Sequence, residues 1–131
     1  MDAVLLDTDV FSYFLKRDTR AVAYEPDIQG RQLCLCFQTV AEVKAWSLRR
    51  NWGSPRREAL KEVLTHYLIL PYDEQMSDAW AAITAARSRI GKQIGCGDAW
   101  IAAAALRHSI PLLTHNIVDY SDIPDLKTIS H

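Results

Sequence analysis

The chain predicts an α/β fold: a parallel sheet of four to five strands, flanked by helices on both sides. Three observations carry that expectation. Short apolar runs alternate with stretches of helical periodicity, the order in which a parallel sheet and its crossover helices are laid down. The segment Asp98–Arg107 is apolar on nearly every face, as a helix buried within such layers must be. The length of 131 residues, 49% of them hydrophobic and 24% charged, suits one compact domain over residues 1–131 and leaves no room for a second.

Taken in order, Val4-Leu5-Leu6 reads as a buried strand. Thr8 or Asp9 can then cap a helix carrying Phe11, Phe14 and Leu15 on one face. A helical piece around Arg20–Tyr24 is expected to stop before Pro26, because the residue ahead of a proline is pushed out of the helical region. Leu33–Phe37 is the second strand. Thr39 opens a helix that runs to about Trp52 and is stopped by Gly53. Ser54-Pro55 restarts the chain as cap and first helical residue of a basic helix reaching about Thr65.

Tyr67–Leu70 is a third strand, closed by Pro71. Asp73 caps a long helix with Met76, Ala79, Trp80 and Ile83 on its inner face, ending near Gly91. Gly95-Cys96-Gly97 is a loop into the buried helix. Pro111–Thr114 is a fourth strand and Lys127–Ile129 a short fifth.

The formal net charge of −1 supplies no global basic field, so attraction to nucleic acid would have to be local or carried by bound cations. Three cysteines, Cys34, Cys36 and Cys96, cannot close a disulfide framework, and the odd count points to a reducing compartment. Cys34-Leu35-Cys36 lacks a second Cys or His pair at zinc spacing. No apolar run approaches the roughly 18 residues needed to span a bilayer, and Met1-Asp2 enters an apolar stretch with no basic flank, unlike a secretory signal. The expected location is the cytoplasm, with no membrane partner.

In open parallel sheets ligands bind beyond the carboxyl ends of the strands. Asp7 follows the first strand, and Glu42 falls in the first turn of the helix after the second. Asp98 opens the buried helix leading to the fourth strand, and Asp119 lies in the loop after it, with Asn116 just before. Four carboxylates from distant parts of the chain thus map to one sheet edge. Gathered there they would repel one another unless cations lay between them. Hard oxygen donors suit Mg2+ or Mn2+, and two such ions about 3.5–4 Å apart can clamp the attacking and leaving oxygens of a phosphodiester.

Each carboxylate also has a purely structural reading. Asp7 can cap the next helix, Thr39-x-x-Glu42 fits a capping box, Asp98 suits a helix start, and Asp119 is an ordinary turn residue.

Leu5-Leu6-Asp7-Thr8-Asp9, Thr39-Val40-Ala41-Glu42-Val43, Gly97-Asp98-Ala99-Trp100-Ile101-Ala102-Ala103 and Leu113-Thr114-His115-Asn116-x-x-Asp119-Tyr120 resemble, in order and spacing, the four motifs of the PIN-domain family and its VapC toxin branch. The resemblance runs from Val4 to Ile129. It implies that Asp7, Glu42, Asp98 and Asp119 form the catalytic, metal-holding quartet for Mg2+ or Mn2+. Asn116, Thr8 and Thr114 are the polar residues beside it that bind substrate or orient ligands.

The implied reaction is hydrolysis of RNA to a 5′-phosphate and a 3′-hydroxyl, and the implied partners are RNA, a cognate VapB-like antitoxin and a second copy of the chain. Tyr120 departs from the more usual Phe, a change expected to affect packing and not metal ligation. The Gly95-Cys96-Gly97 loop lacks the additional acid of some relatives.

Two other functional classes compete. Asp7-Thr8-Asp9 after a strand resembles the haloacid-dehalogenase phosphatases, but Phe11 stands where that pattern wants Thr or Val. The alternative outside enzymology is a catalytically silent PIN-like module that binds RNA or protein, since fold alone does not guarantee activity.

Arg49, Arg50, Arg56, Arg57 and Lys61, and likewise Arg87, Arg89 and Lys92, read either as a phosphate-binding rim or as solvated helix faces. His115 stands at the expected mouth of the site. Trp46, Trp80 and Trp100 read as core or interface, and Phe11, Tyr13 and Phe14 as core or partner surface.

Overall fold

The computed structural model describes residues 2–131; Met1, which entered the expectation about the N-terminus, lies outside them. Five strands form one sheet: β1 (Ala3–Leu6), β2 (Gln32–Cys36), β3 (Leu68–Leu70), β4 (Leu112–Leu113) and β5 (Thr128–Ile129). Their order is β3-β2-β1-β4-β5 and every pairing is parallel, with Leu5 beside Cys34 on one side and Leu6 beside Leu113 on the other. From β1 the chain first builds outward through β2 and β3. It then crosses to add β4 and β5 on the opposite side. The order therefore reverses between β1 and β4, and the crevice at their carboxyl ends is where such sheets hold ligands.

Among the described residues six α-helices cover the sheet: α1 (Thr8–Leu15), α2 (Glu25–Ile28), α3 (Phe37–Arg49), α4 (Ser54–Leu64), α5 (Glu74–Arg89) and α6 (Cys96–His108). The period of two along the strands divides the core. Leu5, Cys34, Cys36 and Leu112 face α5 and α6 through Met76, Ile83, Ile101 and the alanines Ala102–Ala105. Val4, Leu6, Leu35 and Leu113 face the other way, against Val10 and Phe11 of α1, Val43 of α3 and Leu60 of α4. Strands buried on both faces need continuous apolar runs, which is what the sequence carries at β1, β2 and β4.

Several boundaries differ from the sequence-based expectation. Neither Thr8 nor Asp9 caps α1. Asp7 does, its Oδ1 accepting the Val10 amide at 2.8 Å. The helical piece around Arg20–Tyr24 is a 3-10 helix, Thr19–Tyr24, that ends before Pro26 as expected; the chain then continues directly into α2, where Pro26 sits in the first turn and needs no amide partner.

The cap of α3 is Cys36, with no side-chain bond, so Thr39 lies inside the helix and the Thr39–Glu42 capping box does not form. The reason is that β2 runs into α3 without a loop, which starts the helix two residues early. Trp52 lies beyond α3. Gly53 rather than Ser54 is the cap of α4. Cys96 and Gly97 belong to α6, which starts at the cap Gly95 and leaves Asp98 in its first turn. Asp73 caps α5 as expected, through the Met76 amide at 2.8 Å.

Candidate active site

The carboxyl ends of β1 and β4, the first turns of α1 and α6 and the second turn of α3 surround one polar cavity of about 180 Å³; because α3 starts at Phe37, Glu42 lies one turn further into its helix than the sequence suggests. Asp7, Glu42, Asp98 and Asp119 all line it, with Thr8, Asp9, Asn116 and Tyr120. Each arrives on a different element. Asp7 ends β1 and caps α1. Glu42 stands on α3 and Asp98 on α6. Asp119 lies on a 3-10 turn, Ile117–Tyr120, between β4 and β5.

The carboxylates are held by donors from the chain itself. Asp7 Oδ1 takes the Val10 amide. Glu42 Oε1 takes the amide nitrogen of Gln38, one helical turn earlier, at 2.9 Å. Asp98 Oδ1 accepts the Tyr120 hydroxyl at 3.2 Å, and Asp9 Oδ2 accepts Asn116 Nδ2 at 2.6 Å. One oxygen of each is thereby oriented, which leaves the other to serve a ligand.

Burial and mutual repulsion raise the cost of ionising two of these acids, Asp7 and Asp98. Asp7 is 3% exposed. Burial pushes its carboxyl up to about 6, the Val10 amide and the Thr114 hydroxyl pull it partly back, and the charges of Asp9 and Asp98 raise it again. Asp98 is also raised, chiefly by burial, against the Tyr120 hydrogen bond and with repulsion from Asp119, Glu42 and Asp9.

Among the described residues, no Lys, Arg or His lines the cavity. Among the described residues, none of the ion pairs involves these five acids. Concentrated negative charge without a protein counter-charge, offered entirely through oxygen donors, fits a hard divalent cation. Among the described residues no three His, Cys, Asp or Glu side chains are already drawn together as an ion cage. An ion that keeps several of its waters and takes one or two direct carboxylates does not require one.

Thr8 and Thr114 sit differently from Asn116. Thr8 lines the cavity but is mostly buried, its hydroxyl 3.0 Å from that of Thr39. Thr114 is fully buried and accepts the Asn116 amide at 3.0 Å, so its reach is to Asp7 and the following turn. Asn116 is exposed at the rim.

Three participants went unread in the sequence. In the sequence Asp9 reads only as a helix cap. Its position two residues after Asp7, in the first turn of the same helix, was the available signal. Gln38 stands four residues before Glu42, the spacing that brings helical side chains together. Tyr120, expected to matter for packing only, is buried with its hydroxyl on a site carboxylate.

The other candidates fall away from the cavity. None of Arg49, Arg50, Arg56, Arg57 and Lys61 lines it. Arg56 lies over Trp52, 3.9 Å from the ring centre, and Lys61 pairs with Glu58. Arg89 is exposed, Lys92 pairs with Asp122 at 2.7 Å, and Arg87 is buried. His115 packs edge-on against Tyr13.

Phe11 is core, edge-on to Tyr67. Phe14 and Leu15 line a separate groove of about 610 Å³ with Leu60, Val63 and Trp52. Trp80 and Trp100 stack on each other, and Trp46 is flanked by Lys16 and Arg50. Cys34 and Cys36 are buried thiols, and Cys96 is exposed. Among the described residues no helix is long and apolar enough to cross a membrane.

Comparison with known proteins places the fold in a family. A family model described as PIN domain matches residues 4–124. Ribonuclease VapC4 of Mycobacterium tuberculosis is 28% identical over 129 residues, covering 96% of this chain and 95% of that protein. Toxin FitB of Neisseria gonorrhoeae is 31% identical over 121 residues, covering 86% and 87%. Among solved structures, VapBC2 from Rickettsia felis, bound to a DNA fragment from the promoter, superposes with a TM-score of 0.87 over 98% of each chain. At 17% identity that last likeness is one of fold.

Proposed function

This chain belongs to the PIN-domain family, and on that premise we propose that it is the toxin of a VapBC-like pair, a metal-dependent endoribonuclease whose Asp7, Glu42, Asp98 and Asp119 hold Mg2+ or Mn2+. The observation that carries the reading is the cavity itself: acids from four separate segments line it, and no cationic side chain does. The acting unit is the whole of residues 1–131, working in the cytoplasm.

When bound, the ion polarises the scissile phosphodiester and makes an attacking water more acidic. The chain supplies the rest. Asp7 presents its carboxylate from the rigid junction of β1 and α1. Glu42 and Asp98 offer the oxygens that Gln38 and Tyr120 leave free. Asp119 completes the lining from the 3-10 turn that follows β4. Asn116, at the rim, is placed to donate to a phosphate oxygen. Thr8 and Thr114 act from buried positions, holding α1 against α3 and the turn after β4 against Asp7. Water attacks phosphorus, the bond to the 3′ oxygen breaks, and the products carry a 5′-phosphate and a 3′-hydroxyl. A carboxylate of the set takes the proton that the water gives up.

Such an enzyme needs restraint in the cell. A VapB-like antitoxin is its partner, and the chain works as a homodimer. The groove lined by Phe14, Leu15, Leu60 and Val63, with Lys16, Arg17 and Arg56 at its rim, suits an apolar segment of that antitoxin that carries acidic groups.

The test is cleavage of a labelled RNA by the purified chain with Mn2+ and with EDTA, beside Asp98→Asn. Metal-dependent cleavage leaving 5′-phosphates, absent in the variant, is expected. RNA binding without cleavage in both proteins would replace this reading with that of a silent module.

A further inference from the structure

We propose that Arg87 is a positioning residue for the carboxylate site, clamping together the loop that leads to Asp98 and the turn that bears Asp119. The proposal rests on the reading that these carboxylates hold a divalent cation. Arg87 closes the last turn of α5, where a basic side chain normally reaches into solvent. Here it is 6% exposed.

Its bonds go to main-chain carbonyls. Nε donates to Lys92 at 2.7 Å, and one terminal nitrogen donates to both Asp119 at 3.1 Å and Ser121 at 2.9 Å. Among the described residues it takes part in no ion pair. A buried charge without a directly bonded carboxylate is costly, and this one is offset chiefly by the carbonyl dipoles it bonds, with Asp122 near enough to feel its charge.

Those carbonyls belong to the two segments that most need an anchor. Lys92 lies in the stretch between α5 and α6, six residues before Asp98. Asp119 and Ser121 lie in the connection from β4 to β5, which contains no α-helix and has left-handed backbone at Asp122 and Asp125 (φ 59° and 67°). Such a connection makes few regular hydrogen bonds of its own. One planar guanidinium reaches both segments, so a rigid group bears directly on the spacing between Asp98 and Asp119. Lys92 adds a second tie through Asp122, and the Tyr120 hydroxyl meets Asp98 across the same seam. A lysine at position 87 would keep the charge but has one nitrogen for three acceptors in different directions.

The experiment measures Mn2+ binding by calorimetry for the full chain, Arg87→Lys, Arg87→Gln, Asp119→Asn and the Arg87→Lys/Asp119→Asn double variant. Thermal melts and steady-state RNA cleavage accompany it. Arg87→Lys and Arg87→Gln should each weaken Mn2+ binding about tenfold, the scale of losing a group that orients a metal ligand. At saturating Mn2+, KM for RNA and its salt dependence should be unchanged. The double variant should bind as Asp119→Asn does, because the spacing that Arg87 holds between the Asp98 and Asp119 carboxylates matters only while both are ligands.

Additive losses in the double variant, or a raised KM with a shallower salt slope, would make Arg87 an independent or phosphate-binding group and overturn the clamp. Unchanged Mn2+ binding in both Arg87 variants beside a weakened Asp119→Asn would overturn the clamp alone. A full chain that binds no Mn2+ overturns the carboxylate reading and the clamp with it. Loss of cooperative melting in both Arg87 variants, with Asp119→Asn intact, would assign Arg87 to general stability and not to the site.

Discussion

The hydroxyls of Thr8 and Thr39 meet at 3.0 Å in the interior, joining the first turn of α1 to α3 three residues ahead of Glu42. Sequence separation between them is 31 residues. The contact holds the helix after β1, which Asp7 caps, and the helix of Glu42 in one register, so it bears on both stability and the site.

Replacing Thr39 with Val leaves the buried Thr8 hydroxyl without its partner. The expected cost is about 1–3 kcal/mol. The Thr8→Val/Thr39→Val double variant should lose less than the sum of the singles, because no orphaned hydroxyl remains. Urea denaturation of the four proteins measures this coupling. Strict additivity would mean that the two hydroxyls do not interact in solution.

Asp7 has two jobs that different substitutions separate. Asp7→Asn keeps an N-cap acceptor for the Val10 amide and removes a buried charge, so the metal-free variant should melt no lower than the parent at about pH 8. Asp7→Ala removes the cap and should lie about 1 kcal/mol below Asp7→Asn. Both should lose the Mn2+-dependent rise in melting temperature. An Asp7→Asn protein that still gains stability from Mn2+ would show that Asp7 is no ligand.

The pH response of the metal-free protein follows from the same group. Folding raises the Asp7 carboxyl from 3.8 to about 6, so the folded state holds its proton more tightly than the unfolded chain. Its contribution to stability is full below about pH 4, shrinks as pH rises and is gone above about pH 6, a change of at most roughly 3 kcal/mol. Asp98, also raised, adds with the same sign. A divalent cation needs the ionised forms. The melting-temperature gain from Mn2+ over EDTA should therefore grow between about pH 5 and about pH 7.5. A gain that stays flat over that range would contradict the assignment of these shifts to the ion site.

Gly97 separates stability from binding. A Cβ there would stand 2.9 Å from Glu42 Oε1 and 3.0 Å from Gln38 Nε2. Both are ends of flexible side chains, so the fold can yield, and alanine favours the helix by up to about 1 kcal/mol over glycine. Gly97→Ala should melt within a few degrees of the parent while Mn2+ binding weakens several-fold, since the Gln38–Glu42 pair must move. Calorimetry and melting curves on the same samples check both halves.

The alternation of strands with helices, a parallel sheet of four to five strands and the sheet edge at which Asp7, Glu42, Asp98 and Asp119 meet were legible in the sequence alone. Apolar runs such as Val4–Leu6, caps such as Asp73 and the spacing of the four motifs are local signals, readable one segment at a time. Tertiary structure decided the rest. It placed Thr39 inside α3, where it bonds Thr8 in place of capping a helix. It put Asp9 in the cavity, turned the Tyr120 hydroxyl onto Asp98, and buried Arg87, which in sequence resembles any solvated arginine at a helix end. Tyr120 and Asp98 are 22 residues apart, Arg87 and Asp119 are 32, and Asn116 and Asp9 are 107. A hydrogen bond at such separations leaves no periodicity along the chain, because its donor and acceptor meet only after the segments carrying them have packed.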